Sequence, residues 1–148
     1  MTLIVVHGLV GMDFEDPYIT KMEEALTSAI MGMPELGVDE ESIRFSFVLD
    51  KSVKTDQIPV SIIVKQLSID LGKANEIIRS LAQTVGAESE DLKVMELKDA
   101  KVLRDRLAQR ITFFFRGAIT WRDLVFGTEV EVEPFDLSKS GFYAEGSV

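Results

Sequence analysis

Cysteine is missing from this 148-residue chain, and histidine and tryptophan occur once each. Without cysteine there is no disulfide framework and no thiolate metal site, and the redox compartment is left open. Basic side chains are also scarce, 16 against 25 acidic ones, for a formal net charge of -9. Such a surface repels phosphate, so neither nucleic acid nor a membrane is an expected partner. Long apolar runs are lacking as well. Leu3–Val6 is four residues with no basic segment before it, and Thr112–Phe115 lies between Arg110 and Arg116. Both are too short for a signal-peptide core or a membrane span, which makes cytoplasmic residence the expectation.

What remains is a chain rich in packing residues, 46% hydrophobic and 28% charged. Its length suits one domain that buries roughly 70% of the surface of its unfolded chain. Disorder and a large two-domain enzyme are thereby excluded. A mean hydropathy of +0.13 is high for a soluble monomer and points to apolar surface shared between subunits.

Periodicity orders the chain. Leu3–Leu9 is β-branched and apolar, a buried strand. Asp16-Pro17 is placed to start a helix whose apolar face is Ile19, Met22, Leu26, Ala29 and Met33, with Pro34 and Gly37 ending it. Ile43, Phe45, Phe47 and Leu49 then alternate with Arg44, Ser46 and Val48 as a second strand. After a polar stretch the same order returns. Val60–Leu67 predicts a strand, Ala74, Ile77, Ile78, Leu81 and Val85 predict a helix capped by Gly86, and Leu92–Leu97 predicts another strand.

The two passages share more than pattern. Ile4-Val5-Val6 answers Ile62-Ile63-Val64, and Asp39–Phe45 answers Glu88–Val94. Residues 2–50 and 59–99 therefore read as two copies of a β-α-β unit. Each implies a parallel crossover, and together they imply an α/β (α+β) fold, a four-stranded mixed sheet with two helices on one face. Residues 100–148 add a C-terminal helix and an arm to the same domain. Ser46, Val48, Ile63, Met95 and Leu97 would then lie on the uncovered face, where other subunits are the best cover.

In the C-terminal part, Lys101–Arg116 reads as a basic helix with Leu103, Leu107, Ile111 and Phe114 on its apolar face. Its cations, Arg104, Arg106, Arg110 and Arg116 among them, suit either an anion patch or an ion-paired face, with the acidic tail as partner. Glu129, Glu131 and Glu133 alternate with Val130 and Val132 ahead of Pro134, an edge-strand pattern able to join its own sheet or a neighbour's. Ser138–Val148 reads as an extended arm.

Thr2–Gly11 (Thr-Leu-Ile-Val-Val-His-Gly-Leu-Val-Gly) and Val38–Phe45 (Val-Asp-Glu-Glu-Ser-Ile-Arg-Phe) resemble the opening strand and second-strand turn of the tautomerase superfamily. The likeness covers residues 2–99 and includes the tandem β-α-β plan. It implies a homotrimer or other homo-oligomer and a keto–enol isomerase acting on a small carboxylated substrate without a cofactor or metal. In that family an amino-terminal proline is the general base. Thr2 stands at its position, so the base would be the Thr2 α-amine after removal of Met1. An α-amine starts near a pKa of about 8, close to the operating pH. Arg44 matches the family's substrate-binding arginine, with Lys93 its counterpart in the second copy, and a guanidinium suits a planar carboxylate or enolate. Pro59 opens the second copy, but its nitrogen is an amide and not a base.

His7 fits either proton transfer or a hydrogen-bonded position at a strand end. Gly8–Gly11 lacks the lysine of a phosphate loop and reads as a turn. Asp13, Glu15 and Asp16 suit capping better than a cation, and Trp121, Phe142 and Tyr143 suit packing or a pocket wall. The alternative to an isomerase is a non-catalytic binding module of ferredoxin-like form, or an assembly protein. A ferredoxin-like sheet would be wholly antiparallel, whereas each tautomerase repeat pairs its own strands in parallel.

Overall fold

Strand β1, Thr2–Leu9, has a two-sided environment: Thr2, Ile4 and Val6 are buried, while Leu3, Val5 and His7 between them are half-buried. That alternation is the period of a strand with one face on a core. The computed structural model describes residues 1–9, 17–49, 60–86, 96–116 and 128–135. Its sheet has four strands, with β2 (Ile43–Leu49), β3 (Val60–Lys65) and β4 (Thr128–Val132) in the order β2-β1-β3-β4. β2 runs parallel to β1, β3 antiparallel to β1, and β4 parallel to β3. The fold is mixed α/β, and two parallel pairs set it apart from a wholly antiparallel sheet.

Helix α1 (Tyr18–Met31) connects β1 to β2 and buries Met22, Leu26, Ala29 and Ile30. It ends at Met31, two residues before Met33, with Gly32 as its cap, and a short 3-10 turn follows over Pro34–Leu36. Gly37 closes that turn at φ 66, left-handed backbone that glycine adopts without a Cβ penalty. Helix α2 (Leu71–Thr84) starts at Asp70, whose Oδ1 accepts from the Lys73 amide at 3.1 Å. Helix α3 (Lys101–Phe115) completes the set.

The fourth strand departs from the repeat pattern. It comes from Thr128–Val132, and β3 has its two neighbours in β1 and β4. Of the expected strand Leu92–Leu97, residues 92–95 lie outside the described residues, and Glu96 and Leu97 are not strand. Leu97 instead exchanges two hydrogen bonds with the Asn75 side chain, 2.8 and 3.0 Å, and packs on the helix-side core. It is therefore not on the uncovered face; Met95 lies outside the described residues.

The helices explain this. Only one can sit beside α1 on the sheet, and α3 brings Leu103, Leu107, Ile111 and Phe115, all fully buried. The four-residue step from Ile111 lands on Phe115, not on Phe114, which is half-buried. α2 buries only Ala74 and Ala82; Leu81 is 50% and Val85 83% exposed. At about 1.5–3 kcal/mol per large apolar side chain, the seat goes to α3. α2 packs instead against the Pro34–Leu36 turn.

The far face of the sheet carries no described helix. Register sets its rows: Arg44 beside Leu3 beside Lys65, then Ser46, Val5, Ile63 and Glu131, then His7, Ser61 and Glu129. Ser46, Val48 and Ile63 lie on this face, as their alternation predicts.

Truncating α3 at Leu107→Ala is expected to cost about 2–5 kcal/mol, a buried-leucine value. Leu81→Ala on α2 is expected to cost less than about 1 kcal/mol. Urea denaturation midpoints measure both, and equal losses would refute the seating of α3.

Candidate functional site

Thr2, His7 and Arg44 are all held by the central strands. Thr2 pairs with Ile43, is 4% exposed, and lies on the helix side of β1. Met1 before it is exposed. Arg44 pairs with Leu3, one residue further along, and so lies on the opposite face. Its Nη1 donates to the carbonyls of Glu41 at 2.6 Å and Ile43 at 3.1 Å. His7 shares the face of Arg44 but pairs with Ser61 near the other end of β1. At about 3.3 Å per residue it stands about 17 Å from Thr2. Thr2 and Arg44 thus share one end of the sheet on opposite faces, and His7 stands apart. None of the three lines the two grooves described below.

Local chemistry accounts for several other candidates. Asp39 caps the turn Glu40–Ser42: its Oδ1 accepts from the Glu41 amide at 3.3 Å, and its carbonyl accepts from the Ser42 hydroxyl at 2.7 Å. Gly8 has φ 79 at the register shift between β1 and β2, a bulge that ends regular pairing. Among the described residues no cluster of three or more histidine or acidic side chains is placed to hold a metal, and no helix is long and apolar enough to cross a membrane. Asp13, Glu15, Asp16, Pro59, Glu88, Glu90, Asp91, Lys93, Trp121, Phe142 and Tyr143 lie outside the described residues.

One arrangement had no signal in the sequence. The last turn of α1 leaves carbonyls without helical partners. Arg110 of α3 fills that need at Ala29, its Nε donating to Ala29 O at 2.9 Å, while Nη2 lies 3.5 Å from Ser28 O, which also accepts from the Gly32 amide. A cation at the negative end of a helix is favourable in charge as well. The guanidinium also lies 5.0 Å from the centre of the Phe114 ring. Gly32 makes room, because a Cβ there would meet the Arg110 guanidinium. Around this contact is a groove of about 530 Å³, lined by Met33, Glu35, Arg106, Gln109 and Phe113 among others, with Phe113 73% exposed. A second groove of about 360 Å³ runs between α3 and β4.

Two cations of the basic helix are met otherwise than expected. Lys101 pairs with Asp105 of its own helix at 2.7 Å, and Arg110 is bound by backbone carbonyls. Among the described residues no ion pair joins α3 to Glu129, Glu131 or Glu133. The reason lies in register: Glu129 and Glu131 share the face of Ser61 and Ile63, away from the helices. No protein-family model, curated protein or solved structure matches the chain.

Gly32→Ala should displace the Arg110 guanidinium and destabilise by about 1 kcal/mol, the lost charge-assisted bonds outweighing the entropy gained. In an Arg110→Ala background the same change should be neutral or stabilise by up to about 1 kcal/mol. Thermal or urea unfolding of the four proteins in the cycle reads the change of sign; an unchanged cost would remove Arg110 from the account.

Proposed function

We propose that the protein is a homo-oligomer of tautomerase-like sheet design whose sheet face opposite the described helices meets other copies of the chain. One observation carries this reading: Leu3, Val5 and Ile63 form an apolar centre on a face that no described helix covers. Apolar sheet surface of this kind is characteristically covered by another layer. The high mean hydropathy of the chain agrees with it. The parallel pairing of β1 with β2 is the arrangement the tautomerase resemblance implies for the first copy, whereas the parallel partner of β3 is β4, outside residues 2–99.

A second proposal is that the same protein isomerises a small carboxylated keto–enol compound, with the chain's first amine as base and Arg44 as anion holder. Its support is that Thr2 and Arg44 start adjacent strands at one end of the sheet. The opposed faces of their side chains weigh against Thr2 acting through its hydroxyl. Only the main-chain amine is in question.

Sedimentation velocity over a concentration series is expected to show self-association, lost in Val5→Lys with the far-ultraviolet circular dichroism unchanged. A chain that stays monomeric, or a Val5→Lys variant that associates normally, would count against the face. For the second proposal, intact mass establishes whether Met1 is present, and a keto–enol assay on an α-keto carboxylate follows. Activity lost in Arg44→Ala supports it, and no activity in a Met1-free sample ends it.

A further inference from the structure

We infer that the sheet face opposite the described helices pairs with the same face of a second copy about a two-fold axis running along the strands. This rests on the homo-oligomer proposed above and adds its geometry. The face is polar in charge from side to side. Its β2 margin carries Arg44, and its β4 margin carries Glu129 and Glu131, with Leu3, Val5 and Ile63 between and Lys65 beside Leu3 at one end.

An isologous contact places one patch on its own copy, so the axis decides which margins meet. An axis across the strands lays β2 on β2 and β4 on β4 with the row order reversed, setting the glutamates of one β4 against those of the other and leaving each Arg44 away from them. An axis along the strands lays β2 on β4 and β1 on β3. Val5 then meets Ile63 of the second copy in the same row, and Arg44 comes over the β4 margin one row from Glu131. Aligned sheets pack about 10 Å apart with strands within about 30° of each other, within reach of an arginine and a glutamate from opposite sides. Like charges brought together penalise the other arrangement and fix the orientation.

Arg44 is prepared for this contact. Nη1 is held by two carbonyls of its own chain, while Nε and Nη2 carry no hydrogen bond among the described residues. Those two nitrogens form the side of the guanidinium that grips a carboxylate with paired bonds. Glu129 and Glu131 are exposed and carry no ion pair among the described residues. Strand spacings give the face roughly 300 Å² in plan, less than the ~800 Å² per partner of a standard interface. The dimer is therefore a weak one in which the charged margins set the orientation.

The test is sedimentation equilibrium on the full-length chain, wild type against Arg44→Glu, Glu131→Arg and an equimolar mixture of the two variants. The wild type should close at two chains. Each variant alone should associate about tenfold more weakly, because both symmetric contacts become repulsive. The mixture should regain wild-type affinity, since each contact then joins a glutamate at 44 to an arginine at 131 or the native reverse. Association that continues beyond two chains would show a head-to-tail contact and overturn the two-fold arrangement, as would a mixture no tighter than its components. Both outcomes leave the proposed homo-oligomer standing. A wild type monomeric at every concentration overturns the two together.

Discussion

The burial of Leu103, Leu107, Ile111 and Phe115 beside α1 is the contact from which the remaining architecture follows. These side chains are fully buried, and with α1 they cover Ile4, Val6, Ile62 and Val64 on one side of the sheet. Because α3 holds that seat, α2 is displaced toward the Pro34–Leu36 turn, and the chain enters its last strand from α3. β4 then lies parallel to β3, at the margin farthest from β2. The Arg110 bond to the end of α1 ties the two seated helices together at their rim. Exchange α2 for α3 and the glutamates of β4 would no longer lie on the margin opposite Arg44.

Much of this was legible along the chain, because a period of two or of 3.6 is a local property. β1, β2, α1 and the existence of α2 and α3 follow from spacing alone. So does the edge-strand character of Thr128–Val132, where glutamate alternates with valine ahead of a proline. What could not be read was the competition between two helices for one seat. Ile77, Ile78 and Leu81 look as fit for burial as the α3 stripe, and only three-dimensional packing shows that α2 keeps two alanines inside. Arg110 illustrates the same limit. Its partners lie 81 and 82 residues away, and no local pattern encodes a distance of that kind.

The placement of Thr2 and Arg44 on opposite faces is equally a matter of register. Thr2 pairs with Ile43 and Leu3 with Arg44. Turning the Thr2 side chain to the face of Arg44 requires a slip of one residue, and the slip turns Ile4 and Val6 out of the core with it. The core therefore forbids that rearrangement. Any anion chemistry at this end of the sheet has to use main-chain atoms together with Arg44, whose charge is already half committed to the Glu40–Ser42 turn.

The net charge of -9 describes the chain poorly at this scale. Position matters more than the sum. On β4 the glutamates and Pro134 guard the sheet margin, the usual means by which an edge avoids pairing with another strand. The same glutamates face outward beside an apolar centre, so the strand that resists pairing at its edge favours contact across its face. Arg44 on the other margin supplies the opposite sign. A sheet guarded at one edge, apolar in the middle of the face opposite the described helices and oppositely charged at its two sides is suited to the face-to-face contact proposed above. This suitability comes from the placement of a few charges by strand register, and not from the amount of charge the chain carries.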